Sequence, residues 1–247
     1  MDRLIYTAMT GAAHVLQQQA AVSQNLANTN TPGYRAAINT FRAVPLVGEG
    51  LPTRSFVVDS TSGADFAPGA IQATGRSLDV AVQGQGWIAV QLENGTEAYT
   101  RDGSLQVTAN GILQTRNGLN IAGDAGPITV PPNASVTIAS DGTISTIPTG
   151  SAPSQIILVG RIKLVNPPGN EMVRGDDGLF RPRDGQPADA DGTVTVVSGN
   201  LENSNVNPID AMVNMISLSR QFDMQMKMLQ NADDNAKQAS ILFNISG

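Results

Sequence analysis

Apolar and small residues near the start of the chain recur at Ile5, Ala8, Ala12, Val15, Val22 and Leu26, in alternating steps of three and four, with Gln19 the one break in register. That spacing predicts a long helix with a narrow, coiled-coil-like seam. Pro32-Gly33 stops it, because the residue before a proline is driven toward extended conformations and glycine turns the chain readily. The far end repeats the pattern at Ala211, Met215, Leu218, Phe222, Gln225, Leu229, Ala232, Ala236, Ala239 and Phe243, again with a single glutamine in the series. Asn207 is placed to cap this second helix and Pro208 to open it. Run to Asn244, it would be about 55 Å long at the usual rise per residue. Ile209, Met212, Ile216 and Met226 lie beside the seam and widen the apolar face beyond what one partner helix would cover.

The middle of the sequence has a different period. Short β-branched runs such as Leu78-Asp79-Val80-Ala81-Val82, Trp87-Ile88-Ala89-Val90 and Thr193-Val194-Thr195-Val196-Val197 read as strands. Tight-turn dipeptides fall throughout this region: Asn94-Gly95, Asp102-Gly103, Asn110-Gly111, Asn117-Gly118, Asp141-Gly142, Asp177-Gly178, Asp184-Gly185 and Asp191-Gly192. Together they predict an antiparallel, all-β domain. Residues 36–75, with Pro45, Pro52 and Pro68, show no sustained period and read as an extended connector with at most one hairpin. The expected architecture is therefore mixed but mainly β. Residues 1–31 and 205–247 form a discontinuous helical base whose two helices pair in a coiled-coil-like way, 32–76 a connector, and 77–204 the enclosed β domain.

Composition narrows the function. A protein of 247 residues is long enough to be stable by burial alone, and the absence of cysteine excludes disulfides, thiolate metal sites and a cysteine nucleophile. A formal charge of −6 gives no footprint for nucleic acid. Between Arg3 and Arg35 there is no Asp, Glu, Lys or Arg. A solvated helix normally carries charge on its outer face, so this stretch is expected to touch protein on most sides. No basic and apolar leader of the signal-peptide kind opens the sequence, and no apolar run reaches the roughly 20 residues of a membrane span. The plain expectation is a cytoplasmic protein, unless export uses a channel that removes no signal.

Candidate chemistry is thin. His14 is the only histidine and supports no catalytic or metal cluster; it is expected on a helix surface or interface. Met224, Met226 and Met228 alternate rather than share a helical face, which favours packing over a copper site. Asp189-Ala190-Asp191-Gly192 lacks the glutamate that would complete a calcium loop. Arg174-Gly175-Asp176, an adhesion-type tripeptide, runs into the turn signal Asp177-Gly178. Gly84-Gln85-Gly86 lacks the third glycine and the helix of a dinucleotide loop.

Longer motifs are more specific. Asn25-Leu26-Ala27-Asn28-Thr29-Asn30-Thr31-Pro32-Gly33-Tyr34 resembles the N-terminal signature of the flagellar rod and hook proteins. Ser204-Asn205-Val206, Met212-Val213-Asn214-Met215-Ile216, Arg220, Phe222, Lys227 and Asp233 resemble the matching C-terminal signature. Leu78 through Trp87 and Tyr99-Thr100-Arg101-Asp102-Gly103-Ser104 are similar to the central β region of that family, so the likeness covers nearly the whole sequence. Among its members a proximal rod subunit is nearest, since Ala211 stands where the distal rod protein more often keeps an acidic residue; the distal rod protein or another axial protein of the rod and hook family is the alternative.

The resemblance implies a structural subunit of the rod, not an enzyme, with no cofactor and no metal. It implies export without cleavage by the flagellar type III apparatus to a periplasm-spanning basal body. The partners would be other rod proteins and further copies of the same protein, with neither nucleic acid nor a membrane span involved. The assembly surface is expected at Ile5, Ala8, Ala12, Val15, Val22, Leu26 and Asn28 on one helix and at Met215, Leu218, Phe222, Leu229, Ala232 and Phe243 on the other. A β-rich adhesin, the competing class, would call for a cleavable signal and no terminal seams.

Overall fold

The computed structural model describes residues 2–45, 55–124, 126–132, 134–148 and 156–245. They fall into two compact units, one made of Met1–Asn28, Ala37–Ala64 and Val206–Gly247, the other of Thr29–Ala36 and Asp65–Asn205. The protein is mainly β, with a helix at each end.

In the first unit, α1 (Asp2–Ala27) lies against α2 (Pro208–Ile245), and the hairpin of β1 (Ala37–Pro45) and β2 (Ser55–Ala64) packs on α1. α2 begins as its sequence predicts: Asn207 Oδ1 accepts the Ile209 N–H at 3.0 Å. α1 ends earlier than Pro32-Gly33 would require. The Asn28 side chain donates to the Gln24 carbonyl at 2.8 Å, closing the last turn five residues before the glycine. Both strands of the hairpin fall within the stretch that lacks periodicity. Its strands pair antiparallel from Ala37↔Ala64 to Pro45↔Ser55, with a register shift between Thr40 and Phe41. Asn25 fixes its base by a two-way bond, Oδ1 accepting the Ala37 N–H at 2.7 Å and Nδ2 donating to the Ala37 carbonyl at 2.9 Å.

The second unit contains β3 (Ile71–Ala73), β4 (Val80–Gln83), β5 (Trp87–Gln91), β6 (Glu97–Thr100), β7 (Leu105–Val107), β8 (Leu113–Thr115), β9 (Asn120–Gly123) and β10 (Gly126–Pro127). It continues with β11 (Ala134–Ile138), β12 (Thr143–Pro148), β13 (Ile157–Arg161), β14 (Leu164–Val165), β15 (Met172–Arg174), β16 (Phe180–Pro182), β17 (Thr195–Ser198) and β18 (Asn200–Glu202). The main sheet runs β15-β16-β6-β5-β9-β8-β7, with β14 added to β5 and β10 to β9; β11-β12-β13 form a second sheet, and β4-β17 and β3-β18 are separate pairs. Each of these pairings is antiparallel. Alternation is clean where one face is wet, as in Val136 and Ile138 buried on either side of exposed Thr137. β4 is instead buried on both faces, and Val80 and Val82 join Ile88, Val90, Leu105 and Ile121 in one core. Asp79, at the head of that apolar run, is 4% exposed because Arg76 Nε donates to it at 2.9 Å and Thr74 Oγ1 at 2.7 Å.

The turn dipeptides carry two meanings. Six of their glycines adopt φ between 72° and 84°, as hairpin turns require. Gly103 does not: a Cβ there would lie 1.6 Å from the Val80 carbonyl oxygen, so its smallness serves close packing against β4. At Gly118, by contrast, φ is 84° and nothing approaches. Gly103→Ala is therefore expected to destabilise the β unit by about 3 kcal/mol or more, against about 1–2 kcal/mol for Gly118→Ala. Urea unfolding followed by the emission of Trp87, the sole tryptophan, measures both; equal costs would refute the packing role.

Candidate assembly surface

α1 packs on α2 within the first unit, and parts of both seams are covered there. Ala8, Ala12 and Val15 of α1 and Ala211 and Leu218 of α2 are buried, while Val22, Leu26, Met215, Phe222, Leu229 and Ala232 are half-buried. Ile5 and Phe243 fall outside the described side chains. Both glutamines of the series are half-buried as well. The site of Gln225 has a local cause, since Gly11 of α1 leaves room for it: a Cβ at Gly11 would stand 3.3 Å from Gln225 Nε2. Asn28, also in the expected assembly set, donates its side-chain Nδ2 to the Gln24 carbonyl at the end of α1.

What stays uncovered is the set beside the seam. On α2, Ile209 is 70% exposed, and Met212, Val213, Ile216, Met224, Met228 and Ile241 are all exposed large apolar residues; Met9 and Leu16 are their counterparts on α1. Exposed apolar residues gathered on a helix in this way, as at Ile209, Met212, Val213 and Ile216, mark an interaction surface. Beside it α1, α2 and β1 enclose a hollow of about 320 Å³ whose lining mixes uncharged polar side chains, among them Gln18, Asn39, Asn214 and Gln221, with apolar ones such as Val22 and Leu218. His14 packs edge-on against Phe41 at 5.3 Å, within the same unit.

A second feature, inside the β unit, was not foreseen from the sequence. Glu202 sits between two arginines, Oε1 at 2.7 Å from Arg35 Nη1 and Oε2 at 2.9 Å from Arg101 Nη1, with all three side chains at most 4% exposed. The carboxylate also accepts the Gly69 N–H at 2.8 Å, and Arg101 donates to the Gly84 carbonyl at 2.6 Å. Both guanidiniums lie over the Trp87 ring, at 5.5 Å for Arg101 and 5.9 Å for Arg35. Burial pushes Arg101 below the ordinary arginine range, with the Arg35 charge adding to the fall and Glu202 opposing it. Around this cluster the backbone of residues 33–36 is stitched to that of 202–205. Gly33 donates to the Glu202 carbonyl at 2.7 Å, Ala36 to Asn205 Oδ1 at 2.7 Å, and Asn205 Nδ2 to the Asp65 and Ala67 carbonyls at 2.9 and 3.0 Å.

The minor motifs are absorbed by structure. Arg174 lies over the Tyr34 ring at 4.5 Å and donates to the Arg35 carbonyl at 3.2 Å, so the adhesion tripeptide does not present its cation. Asp191 Oδ1 accepts from the Thr193 N–H at 2.8 Å and hydroxyl at 2.7 Å, an ordinary turn. Among the described residues no group of three or more His, Cys, Asp or Glu could hold a metal, and no helix is long and apolar enough to cross a membrane.

Three family profiles match the sequence: "Flagella basal body rod protein" over residues 5–35, "Flagellar hook protein FlgE/F/G D1 domain" over 81–146, and "Flagellar basal body rod FlgEFG protein C-terminal" over 197–242. It is 50% identical to the flagellar basal-body rod protein FlgF of Escherichia coli (strain K12) and 48% identical to that of Salmonella typhimurium, over the full length of both proteins in each case. It is 30% identical to the flagellar basal-body rod protein FlgG of Buchnera aphidicola subsp. Acyrthosiphon pisum, over 90% of its own length and 92% of the other. The chain belongs to the flagellar basal-body rod protein family. Its relatives are structural proteins and not enzymes, and it is of the same kind. The buried cluster takes one residue from each matched segment: Arg35 from the first, Arg101 from the second, Glu202 from the third.

Glu202→Gln would leave two buried guanidiniums without a counter-charge. A loss of about 3–5 kcal/mol in the stability of the β unit is expected, read by the same Trp87 emission; a change under about 1 kcal/mol would mean the pair carries no more than an exposed one. Acid should act through Asp79. Burial pushes its carboxyl up, but the bonds from Arg76 and Thr74 outweigh that and hold it below the usual carboxylate range. A folded value below the unfolded one gives stability that is present above about pH 4 and is lost as pH falls through the folded value. Asp79→Asn should therefore flatten the acid limb of a stability–pH curve, and an unaltered slope would contradict this.

Proposed function

We infer that this protein is a FlgF-like structural subunit of the proximal rod of the flagellar basal body, which joins other rod proteins and copies of itself in the torque-transmitting shaft. The observation that carries the reading is the full-length identity of 50% and 48% to two FlgF proteins, against 30% to an FlgG protein, together with exposed apolar residues on α2 that its own unit leaves bare. The terminal helices form the assembly part as a coiled-coil-like base, and the antiparallel β unit forms a body of its own. Neighbouring subunits bury the flanking residues Ile209, Met212, Val213 and Ile216. Burying each such side chain contributes about 1.5–3 kcal/mol, enough in sum to offset the ordering of long helices that are marginal when alone. The seam residues named from the sequence act with them by holding the helix pair in register.

Delivery by the flagellar type III export apparatus without cleavage, to a basal body that spans the periplasm, fits a protein whose ends gain full order only on assembly. In a head-to-tail array each subunit gives and receives equivalent contacts, so torque passes through many of them in parallel.

Ile216→Asp tests this directly. Because Ile216 is 56% exposed, the free protein should lose no more than about 0.5 kcal/mol, yet the variant should be missing from purified basal bodies and motility should fail. Normal incorporation of the variant would remove the proposed surface; a lost β-unit melt would show a folding fault instead.

A further inference from the structure

The sequence has three Asn-Gly pairs at hairpin turns, at residues 94–95, 110–111 and 117–118. Chemically they are alike: the backbone nitrogen of the glycine can attack Cγ of the asparagine carboxamide, with no Cβ on the glycine to hinder it. Structurally they differ. Asn94 Oδ1 accepts two bonds, from the Thr96 N–H at 3.0 Å and the Thr96 hydroxyl at 2.7 Å, which fix the carboxamide away from the next nitrogen. Gly111 is held on both sides: its N–H donates to the Thr108 carbonyl at 2.9 Å, its carbonyl accepts the Val130 N–H at 2.7 Å, and a Cβ there would stand 2.5 Å from the Val130 oxygen. At the third pair, between β8 and β9, Asn117 and Gly118 are both exposed. Nothing lies within 4 Å of a Cβ built on Gly118. The Gly118 N–H donates to the Thr115 carbonyl at 3.0 Å, as the N–H groups of Gly95 and Gly111 do to their own turns; among the described residues this third turn lacks both the carboxamide bonds that hold Asn94 and the Val130 bond that holds the Gly111 carbonyl.

We propose that Asn117 is a spontaneous modification site, where the folded protein ages by cyclisation and hydrolysis ahead of its two sister turns. Hydroxide removes the Gly118 N–H proton, and the nitrogen lone pair adds to Asn117 Cγ. A new C–N bond forms; the bond from Cγ to Nδ2 breaks, and that nitrogen leaves as ammonia after taking a proton from water. The resulting succinimide is opened by water at either ring carbonyl. Hydrolysis at Cγ leaves an aspartate, and hydrolysis at the backbone carbonyl leaves an isoaspartate that lengthens the turn by one backbone carbon. No redox partner is needed. Either product places a carboxylate beside Arg116, in a turn that at residue 117 now carries no charge.

Incubating the intact protein at neutral and at mildly alkaline pH, with peptide mapping by mass spectrometry over time, tests the site. Asn117 is expected to convert about fivefold or more faster than Asn94 and Asn110, a factor equivalent to the loss of one hydrogen bond. All three should speed up with pH. In urea the three rates should converge, since the sequence motif is shared and only the fold separates them. Thr96→Val, at an exposed turn, should raise the Asn94 rate in the folded protein toward that of Asn117. Equal rates at the three sites in the folded protein, a ranking led by Asn94 or Asn110, or a difference that survives urea would each overturn the proposal.

Discussion

A carboxylate locked between two guanidiniums is the constraint on which the β unit rests. Glu202, Arg35 and Arg101 lie far apart in sequence and are all buried. Desolvating three charges is expensive, and breaking such a group is worse than never forming it. The folded protein therefore has to bring residue 35 and residue 202 to the same place, with the segment that carries residue 101 between them. Backbone bonds from Gly33, Ala36 and Asn205 secure the arrangement on either side.

The two ends of the sequence meet twice. Inside the β unit residues 33–36 are bonded to 202–205, and inside the helical unit α1 lies on α2. Small residues govern the second meeting. Ala8, Ala12 and Ala211 let the helices approach, and Gly11 makes room for Gln225. A seam built this way is narrow. It leaves Ile209, Met212, Ile216 and the outer methionines bare, which is unusual for a free protein and natural for a component of a larger assembly. Methionine suits such a face, because its flexible side chain adapts to more than one neighbour.

Much of this was legible from the residues. The helix seams, the cap at Asn207, the strand runs and most of the turn glycines obey local rules, and local rules can be read along a sequence. The ion cluster could not be read in that way, since its members are linked only by the fold; the available hint was that Arg35 is the first charge after a long uncharged stretch. A hairpin within residues 36–75 was allowed for but could not be placed, because β1 and β2 lack a regular apolar alternation and their base is held by the side chain of Asn25, which belongs to a helix. Gly103 resembled a turn residue and is a packing residue, a distinction that only the position of the Val80 carbonyl reveals.

Stability should accordingly be distributed unevenly, high where charge and backbone are buried together and low where a single seam holds two long helices. Native-state hydrogen exchange on the free, full-length protein measures this residue by residue. The amides of residues 33–36, 79–82 and 199–205 should exchange only with unfolding of the whole β unit, and those of α2 beyond Phe222 far sooner. If the α2 amides were as slow as those around Glu202 in the isolated protein, the helical ends would already be complete without neighbours, and the proposal that assembly covers them would fail.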